Sequence, residues 1–546
     1  MSTECYPIAM LPNTARLYRD YLAMSEGSGA SVRGWYGAEP LSRSWMVCAP
    51  RVGHAEELAR VLEFQASALV AGPEVFQNIA KLRGGARVVV TGQQVGLLGG
   101  PLLVLLKAAT AIARARQATE ATGIDHVPVF WCATEDHDLE EADQVTLLDK
   151  SATETLRLPA KRQEAAPVGG VTLGPAIETV LDRVSELLGY TPTCDLLREC
   201  YRPEETFGRA FSRLLTNLFA NDGLIVMDAA GREFHALGAP ALRGAIERAA
   251  ELESALLDRS SELEACGYHA QVLVKPGASL LFYIGDDGAR VPLRRTPEGT
   301  WKAGSGNSAR QFSISELLGV LEAQPERLSP NALLRPVFQD TILPTTAYVG
   351  GPAEVAYFAQ SAVIYQRLLG RITPILPRLS ATLIEPAIGE LMARHEVNLP
   401  EAMQSPDELA QRLGARAMPV EAKRRLAIAG DALDGALEAA QNYLGSLDPS
   451  LGQSAEVSAS KMRYQMTRLR RLAANFELDK QASLRKHASV MSFHLFPNGQ
   501  SQERVIAGAW FLSAYEAACG ESARQFVSRL VVEAANQCPG HIVIRM

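Results

Sequence analysis

Residues 87–101 read RVVVTGQQVGLLGGP, and the fold class is decided there. Arg87–Val90 is apolar and β-branched, which predicts a strand. Thr91–Pro101 then supplies a glycine-rich turn, with Gly92, Gly96, Gly99 and Gly100. After it Leu102, Leu103, Leu106, Ala109, Ile112 and Ala113 recur at helical spacing, with Pro101 suited to the first helical turn. A second apolar run, Val127–Cys132, leads into Thr134, Glu135, Asp136, His137 and Asp138. Strand, turn, helix and strand form a βαβ unit, so the class is α/β with a parallel sheet.

Outward from this unit, Leu224–Met227, Gln271–Val274, Leu280–Ile284 and Thr346–Val349 also read as strands. The last runs into Gly350-Gly351-Pro352 and an apolar helix, Val355–Leu369. Arg371–Pro386, with three prolines, reads as extended chain and loop, and Thr296–Arg310 as a polar surface loop. Beyond Pro386 the pattern turns helical. Leu433, Leu437, Ala440, Leu444, Leu447 and Leu451 make one heptad seam, and Met462, Leu469, Leu472 and Phe476 another. Asp448-Pro449-Ser450 and a Gly-containing turn separate them, which predicts an antiparallel helical hairpin serving as a subunit contact or packing within one chain. His541–Met546 reads as a last strand. The expected organisation is an α/β core over 1–385, a helical arm over 386–480, and a segment 481–546 that returns to the core.

A chain of 546 residues exceeds one ordinary core, and its 47% hydrophobic and 21% charged residues are those of a globular protein. The 61 acidic against 54 basic residues argue against a nucleic-acid binder. The N-terminal 24 residues lack a basic stretch leading into an apolar one, and Val95–Ala113 is broken by Gly99, Gly100, Pro101 and Lys107. Neither a secretory signal nor a membrane span is expected, and the location is expected to be cytoplasmic. The 8 cysteines show no paired spacing, so reduced thiols are expected, with neither a zinc cluster nor a disulfide framework.

Several constellations could carry chemistry. In Thr91–Pro101, backbone N–H groups of the glycines could approach an anion at a helix start, with Gln93 and Gln94 as polar contacts. A tight strand-to-helix turn explains the same spacing without a ligand. Lys107 either snorkels or reaches a phosphate. Glu135, Asp136, His137 and Asp138 put three carboxylates and an imidazole in four positions, which suits a bound amine or proton transfer; an exposed acidic turn is the plainer account. Arg335 can grip a carboxylate in two-pronged fashion. Gln339 and Asp340 are polar residues in an apolar run, and Tyr348, Gly350, Gly351 and Glu354 surround a second glycine turn. His494 and Arg504 belong to a late polar cluster, where a histidine between phenylalanines is more often packed than catalytic. No metal is expected from these spacings.

Together, TGQQVGLLGGP from Thr91, PVFWCATEDHD ending at Asp138, LRPVFQDTILPTTAYVGGPAEVAY from Leu334, PRLSATLIEP from Pro377 and FPNGQSQER ending at Arg504 closely resemble the BshC family of bacillithiol synthesis. The resemblance implies a Rossmann-like core with an inserted antiparallel coiled-coil arm used for homodimerisation. It also implies addition of L-cysteine to glucosaminyl-malate, giving bacillithiol. Amide formation in water needs an activated carboxylate, so ATP or another nucleotide is the expected co-substrate. In that scheme the glycine-rich turn and Lys107 hold phosphate or carboxylate oxygens, and residues 135–138 orient ammonium groups and take the proton. Arg335 takes the malate carboxylates, while Gln339, Asp340, Tyr348 and Glu354 line the pocket. Another nucleotide-using transferase on the same core, or a coiled-coil scaffold with a vestigial site, stay open at this point.

Overall fold

The computed structural model describes residues 4–24, 32–48, 50, 52–149, 152–159, 166–296, 298–304, 309–536, 538 and 540–546. Of the stretches read above, residues 1–3 and, within the Thr296–Arg310 loop, residues 297 and 305–308 lie outside these. The strands that place the site are β1 (Glu4–Tyr6), β2 (Arg87–Gln94), β3 (His126–Ala133), β4 (Ile225–Asp228), β5 (Thr345–Gly350), β6 (Ile375–Pro377), β7 (Ser380–Ile384) and β8 (His541–Arg545). The helices are α1 (Leu103–Thr122), α2 (Arg232–Glu247), α3 (Pro352–Leu369), α4 (Val420–Leu447) and α5 (Pro449–Lys480).

The core sheet has the order β6-β5-β2-β3-β4, and each neighbouring pair is parallel. Val88, Val89 and Val90 are fully buried, as a strand covered on both faces requires. From β2 the chain winds outward through β3 and β4, then crosses back to add β5 and β6 on the other side. This is the Rossmann strand order, and its direction reverses between β2 and β5. A crevice at the carboxyl ends of those two strands is where such sheets take ligands.

Local departures from the sequence reading have physical causes. β2 continues four residues past Val90, so Thr91–Gln94 are strand rather than turn. Gly92 fits there because a Cβ would stand 2.8 Å from the Trp131 carbonyl oxygen. Helix α1 opens at Leu103, after Pro101 has bridged to Ala507. Gln271–Val274 is not a strand. The Val272 N–H donates to Gln360 Oε1 (2.9 Å) and its carbonyl accepts from Gln360 Nε2 (2.8 Å), so a side-chain amide replaces a ladder partner. The strand at Ala278–Ile284 belongs to a separate antiparallel sheet, which also takes Trp301–Ala303 out of the expected surface loop. Arg371–Pro386, read as extended chain and loop, holds two strands: Pro374 precedes and Pro377 ends β6, β7 follows, and Pro386 opens the next helix.

The arm is a hairpin of α4 and α5 inserted between β7 and β8, which pair with each other in parallel. Its longer helix has 32 residues, about 48 Å at 1.5 Å per residue. No glycine turn separates the helices. Asp448 alone does, its carboxylate accepting from the N–H groups of Ser450 and Leu451. Gly452 lies inside α5, and a Cβ there would stand 3.0 Å from Gly445 Cα, so small residues let the helices converge. Leu447, Leu451, Met462, Leu469, Leu472 and Phe476, read as seam residues, are exposed in the single chain. At the arm's base, helices Pro386–Arg394, Leu399–Ala402 and Pro406–Ala417 pack with Ala482–Leu495 around a core of their own.

The all-reduced expectation for cysteine fails at one pair. Cys5 and Cys538 form a disulfide although 533 positions separate them. Antiparallel pairing of β1 with β8 brings the two ends of the chain together, which spacing in sequence cannot reveal. Among the described residues, no helix is long and apolar enough to cross a membrane.

Candidate functional site

The residues after β2 and β5 surround a cavity of about 370 Å³ at the strand-order reversal. One wall is Gly92, Gln93, Gln94, Gly96 and Gly100, the other Gly351, Pro352 and Glu354. Lys107, on α1, is 2% exposed beneath them. Its ammonium donates to the Gly92 carbonyl (3.0 Å), to Gln93 Oε1 (2.7 Å) and to Glu354 Oε1. The other Glu354 oxygen accepts from the Gly351 N–H at 3.1 Å, closing the first turn of α3. Burial alone would raise the Glu354 carboxyl, but the Lys107 ammonium outweighs it and holds the group below the usual carboxylate range.

This pairing changes what the glycine-rich turn can do. The Gly99 N–H donates to Tyr201 Oη (2.8 Å) and the Gly100 N–H to the Leu97 carbonyl (3.0 Å). With Lys107 paired to Glu354, these two N–H groups and the ammonium are engaged within the protein.

Arg335 lies on the opposite side of β2 from β3. Its guanidinium donates to Tyr357 Oη (2.5 Å) and stands 5.8 Å from the Tyr348 ring centre. From the β3 side come Asp136, Glu141 and Gln144. Burial, then repulsion from Asp138 and Asp136, raises the Glu141 carboxyl. Arg378 and Arg504 complete the lining. Arg378 is buried and grips Glu503 with two contacts, 3.0 and 2.6 Å. Glu503 also accepts from the Ala381 N–H (2.9 Å) and from Ser380 Oγ (3.2 Å).

Other expected site residues lie elsewhere. Thr91 is fully buried and donates to the Val349 carbonyl (2.9 Å), tying β2 to β5. Gly350 is buried in β5, where a Cβ would meet Glu354 Cβ at 2.8 Å. Glu135 turns to His235 of α2, with 2.9 Å between Oε1 and Nε2. His137 accepts from Arg290 (3.2 Å), whose guanidinium lies over the Phe282 ring. Asp138 caps the short helix Leu139–Ala142. Gln339 and Asp340 are buried in a network in which Tyr365 (2.7 Å) and Thr373 (2.6 Å) donate to the Asp340 carboxylate. His494 lies 3.3 Å from Glu385, beside Trp510, outside the cavity.

Comparison with known proteins bears on this architecture as a whole. Residues 1–379 match the family described as "Bacillithiol biosynthesis BshC, N-terminal Rossmann-like domain", and residues 381–525 its "C-terminal coiled-coil domain". The chain belongs to the BshC family. A Koribacter versatilis protein named "Putative cysteine ligase BshC" is 42% identical over 100% of both chains. Proteins of the same printed name from Solibacter usitatus and Salinibacter ruber are 34% and 33% identical, covering 94% and 79% of this chain.

Within this BshC chain, sequence reasoning missed Glu141, Gln144, Tyr357 and Arg378. Glu141 and Gln144 follow the acidic run it had noticed, and Tyr357 is one helical turn beyond Glu354. Arg378 carried a weaker signal, an arginine directly after Pro377 in the turn between β6 and β7.

The Arg378–Glu503 pair rests on His541 of β8. Fully buried, it contacts Ser380 Oγ and Thr382 Oγ1, each at 2.8 Å. Burial pushes its pKa from 6.5 down to about 4. The folded chain therefore keeps His541 neutral while the unfolded chain protonates it below pH 6.5. Its effect on stability is absent above that pH and grows as pH falls toward 4, at up to about 1.4 kcal/mol per pH unit. Urea midpoints at pH 7 and pH 5 should fall less for His541→Gln than for the native chain, although the variant is the less stable at pH 7.

Proposed function

We propose that this chain joins the carboxylate of L-cysteine to the amine of glucosaminyl-malate, forming the amide of bacillithiol in the cytoplasm. The observation that carries this reading is the separation of charge in the cavity. Asp136 and Glu141 enter from the β3 side of β2, and Arg335 from the β5 side. Both substrates carry an amine and a carboxylate, so walls of opposite sign can orient each. Full-length similarity to relatives named cysteine ligases supports the same reaction class.

In this scheme Arg335 holds a carboxylate and Asp136 an ammonium group. The amine nitrogen attacks the activated cysteine carbonyl, the C–N bond forms, and the activating group leaves with its bonding electrons. Glu141, with its raised pKa, takes the amine proton. ATP or another nucleotide is the proposed activating co-substrate. The Gly99 N–H and the Lys107 ammonium, engaged within the protein, are not among its proposed contacts.

Purified protein given L-cysteine, glucosaminyl-malate and ATP should yield the amide by mass spectrometry, and none without ATP. Glu141→Gln should lower kcat by about a hundredfold or more while leaving L-cysteine binding intact. Product without ATP would remove the nucleotide from the scheme, and no product from folded protein would overturn the reading.

We further propose that the arm joins two copies of the chain. The support is the solvent-facing row Leu447, Leu451, Met462, Leu469, Leu472 and Phe476, an apolar seam that one hairpin leaves uncovered. Light scattering on an eluting gel-filtration peak should give twice the 59.0 kDa chain mass. A Leu469→Glu, Leu472→Glu variant should elute as the single chain; a monomeric native protein would contradict the proposal.

A further inference from the structure

Next to the reaction cavity lies a second one of about 380 Å³. Pro352, Ala353, Arg378 and Arg504 line both, so the two chambers share a wall. The far side of the second chamber is the N-terminal segment around Asn13 and Tyr18, with Gln271, Gln500 and Ser501 completing its polar surface. We propose that this chamber is the acceptor's dicarboxylate subsite, with Arg504 on the shared wall gripping a malate carboxylate. The inference rests on the reaction proposed above and adds where one half of the acceptor sits.

Arg378 cannot serve a ligand fully, because Glu503 takes two of its donors. Glu503 is also the only acid lining the second chamber among the described residues, and Arg378 balances it. Among the described residues the Arg504 guanidinium makes no hydrogen bond or close ion pair; it is exposed at the junction and is felt electrostatically by Glu141. The chamber therefore carries one guanidinium whose donors are not engaged by the protein, a group whose fork matches a carboxylate. The nearby amides and hydroxyl of Asn13, Gln271, Gln500 and Ser501 are neutral donors and acceptors, suited to a hydroxylated, acidic four-carbon chain.

The first cavity has to hold cysteine and the reacting amine between Asp136, Glu141 and Arg335. An acceptor that joins an amino sugar to a dicarboxylate can place its amine in the first cavity and its carboxylates in the second, since the two share Pro352, Ala353, Arg378 and Arg504. Its amine then stays near the acids while its carboxylates move away from them, which avoids like-charge repulsion from Asp136 and Glu141.

L-malate alone is the probe, titrated calorimetrically into the full-length chain up to millimolar concentration. The native chain should bind it. Arg504→Ala should weaken binding at least tenfold, and Arg504→Lys less. Ala356→Phe, which fills the second chamber from a residue that lines only that one, should weaken malate at least tenfold while L-cysteine binding stays unchanged. Matched urea midpoints exclude misfolding as the cause. Failure of malate to bind the native chain, or binding indifferent to Ala356→Phe, would overturn the subsite. Malate binding with the expected pattern but no amide product would instead sink the proposed reaction and leave the subsite standing.

Discussion

A buried ammonium and carboxylate, Lys107 and Glu354, decide how the cavity is built. One comes from the helix after β2, the other from the first turn after β5. Those strands are neighbours at the point where the sheet reverses its order, and nothing in a parallel ladder fixes the loops beyond their ends. The pair does so, since Lys107 also binds the β2 end through Gly92 and Glu354 binds the β5 end through Gly351. Taking both charges from water costs several kcal/mol each, so the pair adds little net stability. Removing one partner is different, because the other is then left buried and uncompensated, at a cost of about 3–5 kcal/mol. The arrangement therefore specifies geometry more than it stabilises the chain. It also leaves the Lys107 ammonium, read as a phosphate contact, engaged by the protein itself.

A second buried pair repeats the logic on the far wall. Arg378 follows β6, and Glu503 comes from the segment after the arm and its base. Their contact, with His541 beneath, joins residues of the Rossmann-like core to the last strand of the chain. The arm is inserted between β7 and β8, whose parallel pairing brings the chain back to where it left. A long excursion thus ends without disturbing the cavity, and Arg504 is delivered to its edge.

The parallel core was legible because buried strands leave continuous apolar runs and because glycines mark the turns. Val88–Val90 and Val127–Cys132 are such runs, and they do pair in parallel. The hairpin was legible from its heptads, although its short turn was not, since one capping aspartate needs no glycine. Gln271–Val274 misled because β-like composition does not name a partner, and here the partner was a glutamine side chain. In the site, residue type was readable but direction was not. Glu135 and Asp136 are neighbours, yet a strand's end sends one to His235 and the other to the cavity. Asp340 stood out because a polar group in an apolar run must find partners, and Tyr365, Thr373 and the Gln339 amide supply them. The disulfide, and the Arg378–Glu503 contact across 125 positions, have no local signal at all.

The claim that one ion pair couples the two turns is tested most directly by hydrogen exchange in Lys107→Met and Glu354→Gln variants. The amides of residues 92–100 and of residues 350–354 are followed separately. If the pair holds both turns, each single variant speeds exchange in both segments, by about a hundredfold for a loss near 3 kcal/mol. If each variant loosens only the segment next to its own residue, the turns are held independently and the account of the site is wrong.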